Sequence, residues 1–174
     1  LSRFEAWLLE RYGSLEAGRR AWGLPSNEGQ VLSPPRRPPS ADRGALQRVM
    51  DWVAFKEELA LTGVLRVAEM LRARLDVAAR PLLFHNYPPG DALQSPYDIG
   101  GGEARGLDFQ GVDLYPTRAQ HRFLAKTARC LLGLSRFPVI PELGAGSTFW
   151  IGPVTLEDQR FTTPYLIMHG VAGV

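Results

Sequence analysis

The sequence predicts an α/β fold built from repeated strand-plus-helix units, and two observations predict it. Four short apolar runs begin at Pro81, Phe109, Phe137 and Tyr165, about 28 residues apart, which suits successive β/α units. Polar side chains also gather where these runs stop. The first closes on His85, Asn86 and Tyr87, the second on Asp113 and Tyr115, the third on Glu142, and the fourth contains His169. Parallel strands in a closed sheet bring such ends to one face, whatever their separation in sequence. The expected architecture is a partial (β/α)8 barrel, with residues 1–174 forming one domain of about four strands and their helices.

The elements follow in order. Residues 4–22 carry Phe4, Trp7, Leu8, Tyr12 and Leu15 at helical spacing. Gly13 interrupts the pattern, and Ser14 is suited to N-cap a second short helix. Trp7 and Trp22 read as packing residues. Residues 23–41 form a surface loop, because the prolines at 34, 35, 38 and 39 forbid regular helix and inner strand. Residues 42–77 hold the longest helical pattern, with Asp42 as N-cap and Gly63 as a point of weakness. Strands at 81–87 and 109–115 are each stopped by a proline. The glycine-rich stretch 98–106 between them reads as an enlarged loop with at most one or two helical turns. It is not a phosphate-binding fingerprint, because no strand feeds it directly and no lysine follows. A helix at 117–134 presents Phe123, Leu124, Ala128, Leu131 and Leu132 on one side. A third strand spans 137–142. Thr155 and Asp158 have capping-box spacing and open a shorter helix, before a fourth strand at 165–174.

Composition narrows the function. The net charge is +2, and no run of like charge suggests a nucleic-acid arm. Cys130 is the sole cysteine, which excludes a disulfide framework, and it reads as a small core residue. The three histidines lack metal-ligand spacing, so neither a metal nor another cofactor is expected. No run reaches membrane-spanning length and no signal peptide opens the sequence, which fits a cytoplasmic location.

Glu142 is the residue richest in chemistry. It ends the apolar run 137–141 and precedes Gly144 and Gly146. A carboxylate at the exit of a buried barrel strand points toward the active-site face; a strand-end salt bridge is the plainer reading. The polar strand ends around it suit a polyhydroxyl ligand, with Tyr87, Phe149 or Trp150 able to stack on a sugar ring. Glycosidic cleavage needs two carboxyl groups. One protonates the leaving oxygen, and in a retaining enzyme the other attacks the anomeric carbon from about 5–5.5 Å away. Tyr115 at the neighbouring strand end is placed to donate a hydrogen bond to such a nucleophile.

Several segments resemble beta-galactosidases of glycoside hydrolase families thirty-five and forty-two. The stretch 4–23, with its Trp7-Leu8, Tyr12-Gly13-Ser14-Leu15 and Ala21-Trp22-Gly23, is similar to the region after their fourth strand. Gly111-Val-Asp-Leu-Tyr-Pro116 resembles their sixth-strand motif, and Pro138-Val-Ile-Pro-Glu142-Leu their seventh strand, which ends in the nucleophile. His169-Gly-Val-Ala-Gly-Val174 resembles the start of their eighth. The resemblance implies strands five to eight of the barrel, hydrolysis of terminal beta-galactosides with retention, Glu142 as nucleophile and Tyr115 as its support. Asn86, Asp113, Trp150 and His169 are implied as substrate contacts or pocket supports. It also implies a general acid on a fourth strand preceding Leu1, so that residues 1–174 alone are expected to be inactive and open-edged until joined by the other half of the barrel. Asn27-Glu28 has the right dipeptide for the acid but no strand before it. Expected partners are a carbohydrate substrate, that other half and, as such enzymes commonly assemble, further copies of the chain. The alternatives are a non-catalytic carbohydrate-binding or structural relative, and a retaining glycosidase acting on glucosides or mannosides.

Overall fold

The computed structural model describes residues 2–25, 32, 43–76, 78–79, 81–87, 99–116, 120–144 and 155–174. Where the sequence predicts one domain, the chain divides into two compact units, Leu1–Leu59 with Ala92–Pro96, and Ala60–Asp91 with Tyr97–Val174. Each gathers its own core.

The first unit is helical. Helix α1 (Arg3–Tyr12) opens with a capping box between Ser2 and Glu5 and closes on Gly13 in the left-handed region at φ 74°, a conformation glycine adopts without Cβ strain. Helix α2 (Leu15–Ala21) starts at Ser14, whose Oγ accepts from the Ala17 N–H at 3.1 Å. Helix α3 (Arg43–Arg72) runs unbroken through Gly63, so the expected weak point does not interrupt it; Asp42 lies outside the described residues. Phe4, Leu8, Trp22, Leu32 and Phe55 form the core, bound by ring contacts such as Phe4–Phe55 at 5.1 Å. Trp7 packs against the same cluster. The proline run expected to form a surface loop lies outside the described residues.

Within this core Asp51 has no exposed surface. Its Oδ2 accepts from the Tyr12 hydroxyl and the Trp22 indole N–H, both at 2.7 Å. Its Oδ1 accepts from Gln47 at 3.1 Å and pairs with the Arg11 guanidinium at 3.2 Å. A buried carboxylate is tolerated only with such a set of donors. The Tyr12 and Trp22 segments are thus tied to α3 by one carboxylate.

The second unit is α/β. Strands β1 (Phe84–Tyr87), β2 (Phe109–Leu114) and β3 (Glu142–Leu143) form a parallel sheet in the order β1-β2-β3. Val139 forms a further parallel bridge to Gly173, with the Ile140 N–H donating to the Gly173 carbonyl at 2.9 Å. Each strand therefore lies beside the strand that precedes it in sequence. Short helix α4 (Ile99–Ala104) falls between β1 and β2, helix α5 (His121–Leu134) between β2 and β3, and helix α6 (Leu156–Met168) before the Gly173 bridge. Tyr87, Leu114, Leu124, Ala128, Leu131, Ile140, Leu166 and Val171 make the layer between sheet and helices. The far half of α3 contributes Leu61, Leu65 and Ala68, packed with Leu107. Glu103 of α4, also buried, accepts from the Arg136 N–H at 2.8 Å and from Ser135 Oγ, and so ties α4 to the end of α5.

Two expectations need correction. The fourth strand does not begin at Tyr165. The Thr155–Asp158 capping box opens α6, which continues to Met168, and only the residues around Gly173 pair with the sheet. Thr162 and Leu166 are buried one turn apart, so the apolar run from Tyr165 belongs to a helix face; a short apolar run does not by itself distinguish the two periods. Cys130 is exposed rather than a core residue, because α5 turns Leu124, Ala128 and Leu131 inward instead.

Candidate functional site

Alternation along the strands creates the site. In β2, Leu114 packs under the helices, and so does Tyr87 of β1. Neighbouring residues on a strand point to opposite faces, so Asn86 in β1 and Gly111 and Asp113 in β2 belong to the other face, away from the helices. The register places Asn86 opposite Gly111 and Asp113 opposite Glu142. In the third strand Ile140 and Leu143 both contact the helix-side core. A strictly pleated strand would not send residues three apart to one side. The chain bends at Pro141, which has no N–H to give to a ladder, and this bend releases Glu142 toward Asp113.

Two glycines make room for that geometry. A Cβ at Gly111 would overlap the Pro141 ring, and one at Gly144 would overlap the Tyr115 ring. The missing side chain at 111 lets β3 approach β2 at the bend. The missing one at 144 lets the phenol lie along the backbone, with its hydroxyl on the carboxylate.

The result is a four-residue network at the carboxyl ends of the strands. The Tyr115 hydroxyl donates to Glu142 Oε1. Asn86 Nδ2 donates to Glu142 Oε2 at 3.0 Å and to Asp113 Oδ1. Glu142 is exposed, while Asn86, Asp113 and Tyr115 are half-buried. Tyr115 is pushed up to about 12, first by its hydrogen bond to Glu142 and then by burial and the adjacent negative charges. Burial, followed by the charge of Glu142, raises Asp113 above the usual carboxylate range, against a smaller opposing effect of the Asn86 hydrogen bond. Toward the other end of the strands the same face turns aromatic: Phe84 stacks on Phe109 at 4.6 Å, and Phe137 meets Phe109 edge-on at 5.9 Å.

Four sequence-selected residues, Asn86, Asp113, Tyr115 and Glu142, are therefore brought together. His169 is not. It caps the end of α6 against the Tyr165 ring at 4.5 Å and precedes the Ala172 N–H that donates to the Pro138 carbonyl. That is the amino-terminal end of the parallel strands, and His169 is removed from the site on that ground. Trp150, Phe149 and the Asn27-Glu28 dipeptide lie outside the described residues. Tyr87 does not line the site, being 2% exposed in the helix-side core. His85 faces the same side and borders a separate groove of about 430 Å³ between α3 and β1, lined by apolar residues such as Val64, Ala68, Leu83 and Leu107. Gly111 and Pro141 shape this cluster by their close approach, although side-chain chemistry does not flag them; the signal for them is a glycine and a proline placed near two strand-end carboxylates. Among the described residues no cluster of histidine, cysteine, aspartate and glutamate is suited to a metal, and no helix is long and apolar enough to cross a membrane.

Comparison of the chain with protein-family models, with curated proteins and with solved structures gives no significant match.

Proposed function

We propose that residues 1–174 carry the nucleophile half of a retaining glycoside hydrolase barrel that acts on terminal beta-galactosides. The observation that carries this reading is the Glu142 carboxylate, open to solvent at the carboxyl end of a parallel sheet, with one donor on each oxygen. A nucleophilic carboxylate must remain ionised and aimed, and donors do both. Strand order supports the barrel. A doubly wound sheet reverses direction at a switch point, whereas these strands are added in sequence order on one side, which with right-handed crossovers is the path of a barrel wall. The aromatic layer below and the polar layer above on the inner face also suit a barrel interior, where side chains stack in tiers.

In the reaction, Glu142 attacks the anomeric carbon, the glycosidic oxygen leaves with a proton, and water later resolves the glycosyl ester. Tyr115 and Asn86 hold the two oxygens of the attacking group. The acid comes from a barrel strand other than the four described here, and the edge of β1 not paired to β2 is where that part of the wall adds.

The test uses the intact enzyme. Glu142→Gln is expected to lower kcat on an aryl beta-galactoside by about 10⁴-fold or more while leaving galactose binding measurable by calorimetry. Glu142→Gly with azide should return turnover as the inverted glycosyl azide. A 2-fluoro galactoside should label Glu142 of the unaltered protein, detected by peptide mass. Normal turnover in Glu142→Gln removes this reading; sugar binding without turnover in the unaltered protein replaces it with a carbohydrate-binding one.

A further inference from the structure

We propose that Asp113 and Asn86 act as a positioning pair for Glu142, Asp113 fixing the Asn86 amide so that its second N–H is held on the attacking carboxylate; this rests on the reading of Glu142 as the nucleophile. The amide nitrogen of Asn86 has two hydrogens. Asp113 Oδ1 takes one and Glu142 Oε2 takes the other at 3.0 Å, so neither is left for a sugar hydroxyl. The two acceptors together decide which way the amide faces, because an amide turned over would aim its carbonyl oxygen at two carboxylates.

The arrangement answers a problem set by the fold. Asp113 and Glu142 are direct cross-strand partners on one face, and like charges in that relation repel. Asn86 reaches them from β1 past Gly111, its own register partner. A neutral donor shared between the two carboxylates offsets the repulsion without bringing in a cation that would compete for the nucleophile. Among the described residues, the charged or titratable groups around Asp113 are Glu142 from β3, Tyr115 at the end of β2 and His85 of β1.

A pH signature follows. Burial and then the Glu142 charge make Asp113 take up a proton above the usual range. Once protonated, Asp113 keeps only a neutral carbonyl acceptor and gains a hydrogen that the amide oxygen can accept, so the orientation of the Asn86 amide is held less firmly. Turnover should therefore fall on the acid side as Asp113 protonates.

Three variants of the intact enzyme, checked for native circular dichroism, test the pair with aryl beta-galactosides of graded leaving-group acidity. Asp113→Asn keeps an oxygen acceptor and removes the titration. Its kcat should fall about tenfold, within the usual loss for one hydrogen bond to a charged group, with KM unchanged and the acid limb of kcat/KM moved to lower pH. Asn86→Ala should lose about 10²-fold in kcat. Asn86→Asp should be as poor near neutral pH and regain part of the loss toward pH of about 5, where a protonated carboxyl can donate in place of the amide. Wild-type kcat and acid limb in Asp113→Asn would overturn the proposal. So would losses confined to KM, which mark a sugar contact, or a loss that grows as the leaving group becomes more basic, which marks Asp113 as the proton donor. Failure of the pair alone leaves Glu142→Gln inactive, whereas failure of the underlying reading leaves Glu142→Gln active.

Discussion

Each unit of the molecule contains a carboxylate that accepts from a tyrosine hydroxyl and a nitrogen donor, and the two are put to opposite uses. Asp51 has no exposed surface and is held by Tyr12, Trp22, Gln47 and the Arg11 cation. Glu142 is exposed, has Tyr115 and Asn86 as donors, and faces a second carboxylate instead of a cation among the described residues. The first set saturates a charge that would otherwise be intolerable in a core. The second holds a charge from two sides and leaves it open to solvent. Residue type does not separate a saturated core carboxylate from an open one; burial, the number of donors and the sign of the nearest charge do.

The largest effect expected from this contrast is on stability. Asp51→Ala strands the Tyr12 hydroxyl, the Trp22 indole and Arg11 in or beside the core, and should cost about 3–5 kcal/mol. Glu142→Ala strands only half-buried groups and relieves the repulsion on Asp113, so its cost should stay within about 0.5 kcal/mol. Urea unfolding followed by tryptophan fluorescence measures the first directly, because Trp7, Trp22 and Trp52 all belong to the Asp51 unit. Equal losses in the two variants would erase the distinction.

A smaller effect lies in how Tyr115 is aimed. Tyr115→Phe removes the hydroxyl and should lower kcat about 10–100-fold, the worth of one hydrogen bond to a charged group. Gly144→Ala leaves the hydroxyl but adds a Cβ where the ring now lies, so it should reproduce part of that loss. Combined, the two changes should be no worse than Tyr115→Phe alone, since they act through one contact. Additive losses would mean that Gly144 serves something other than the phenol.

Much of this contrast was legible in the sequence, and its gaps have physical causes. Asn86, Asp113, Tyr115 and Glu142 stood out because strand ends converge in a parallel sheet, and the β/α alternation and both helix caps at Ser14 and Thr155 were readable from spacing. The side each residue faces was not. Tyr87 and His85 looked as suitable as Asn86, and only the pleat sent them to the helix side. His169 lies outside the site because the apolar run that contains it suits a strand by composition, whereas burial of Thr162 and Leu166 shows helix period. The Asp51 hub went unnoticed, since an aspartate among apolar residues of a helical stretch carries no local sign of burial. The two-unit division was hidden for a related reason, as α3 runs unbroken through both cores.

The smallest expected signal is also the one least dependent on catalysis. Tyr115 is pushed up to about 12, chiefly because its hydroxyl donates to Glu142. Its folded value lies above the unfolded one of about 10, so the unfolded chain gives up this proton first. The stability contributed by the contact is complete below the ordinary tyrosine range and is lost as pH rises toward 12. Absorbance at alkaline pH should therefore include a late-titrating tyrosine component that Tyr115→Phe removes. Glu142→Gln takes away the anionic acceptor and should bring that titration back toward the ordinary range, while the raised titration of Tyr12, which depends first on burial and then on Asp51, stays where it is. If the late component that Tyr115→Phe removes is indifferent to residue 142, the phenol and the carboxylate do not share a proton in solution, and the steering of Glu142 would have to be sought in Asn86 alone.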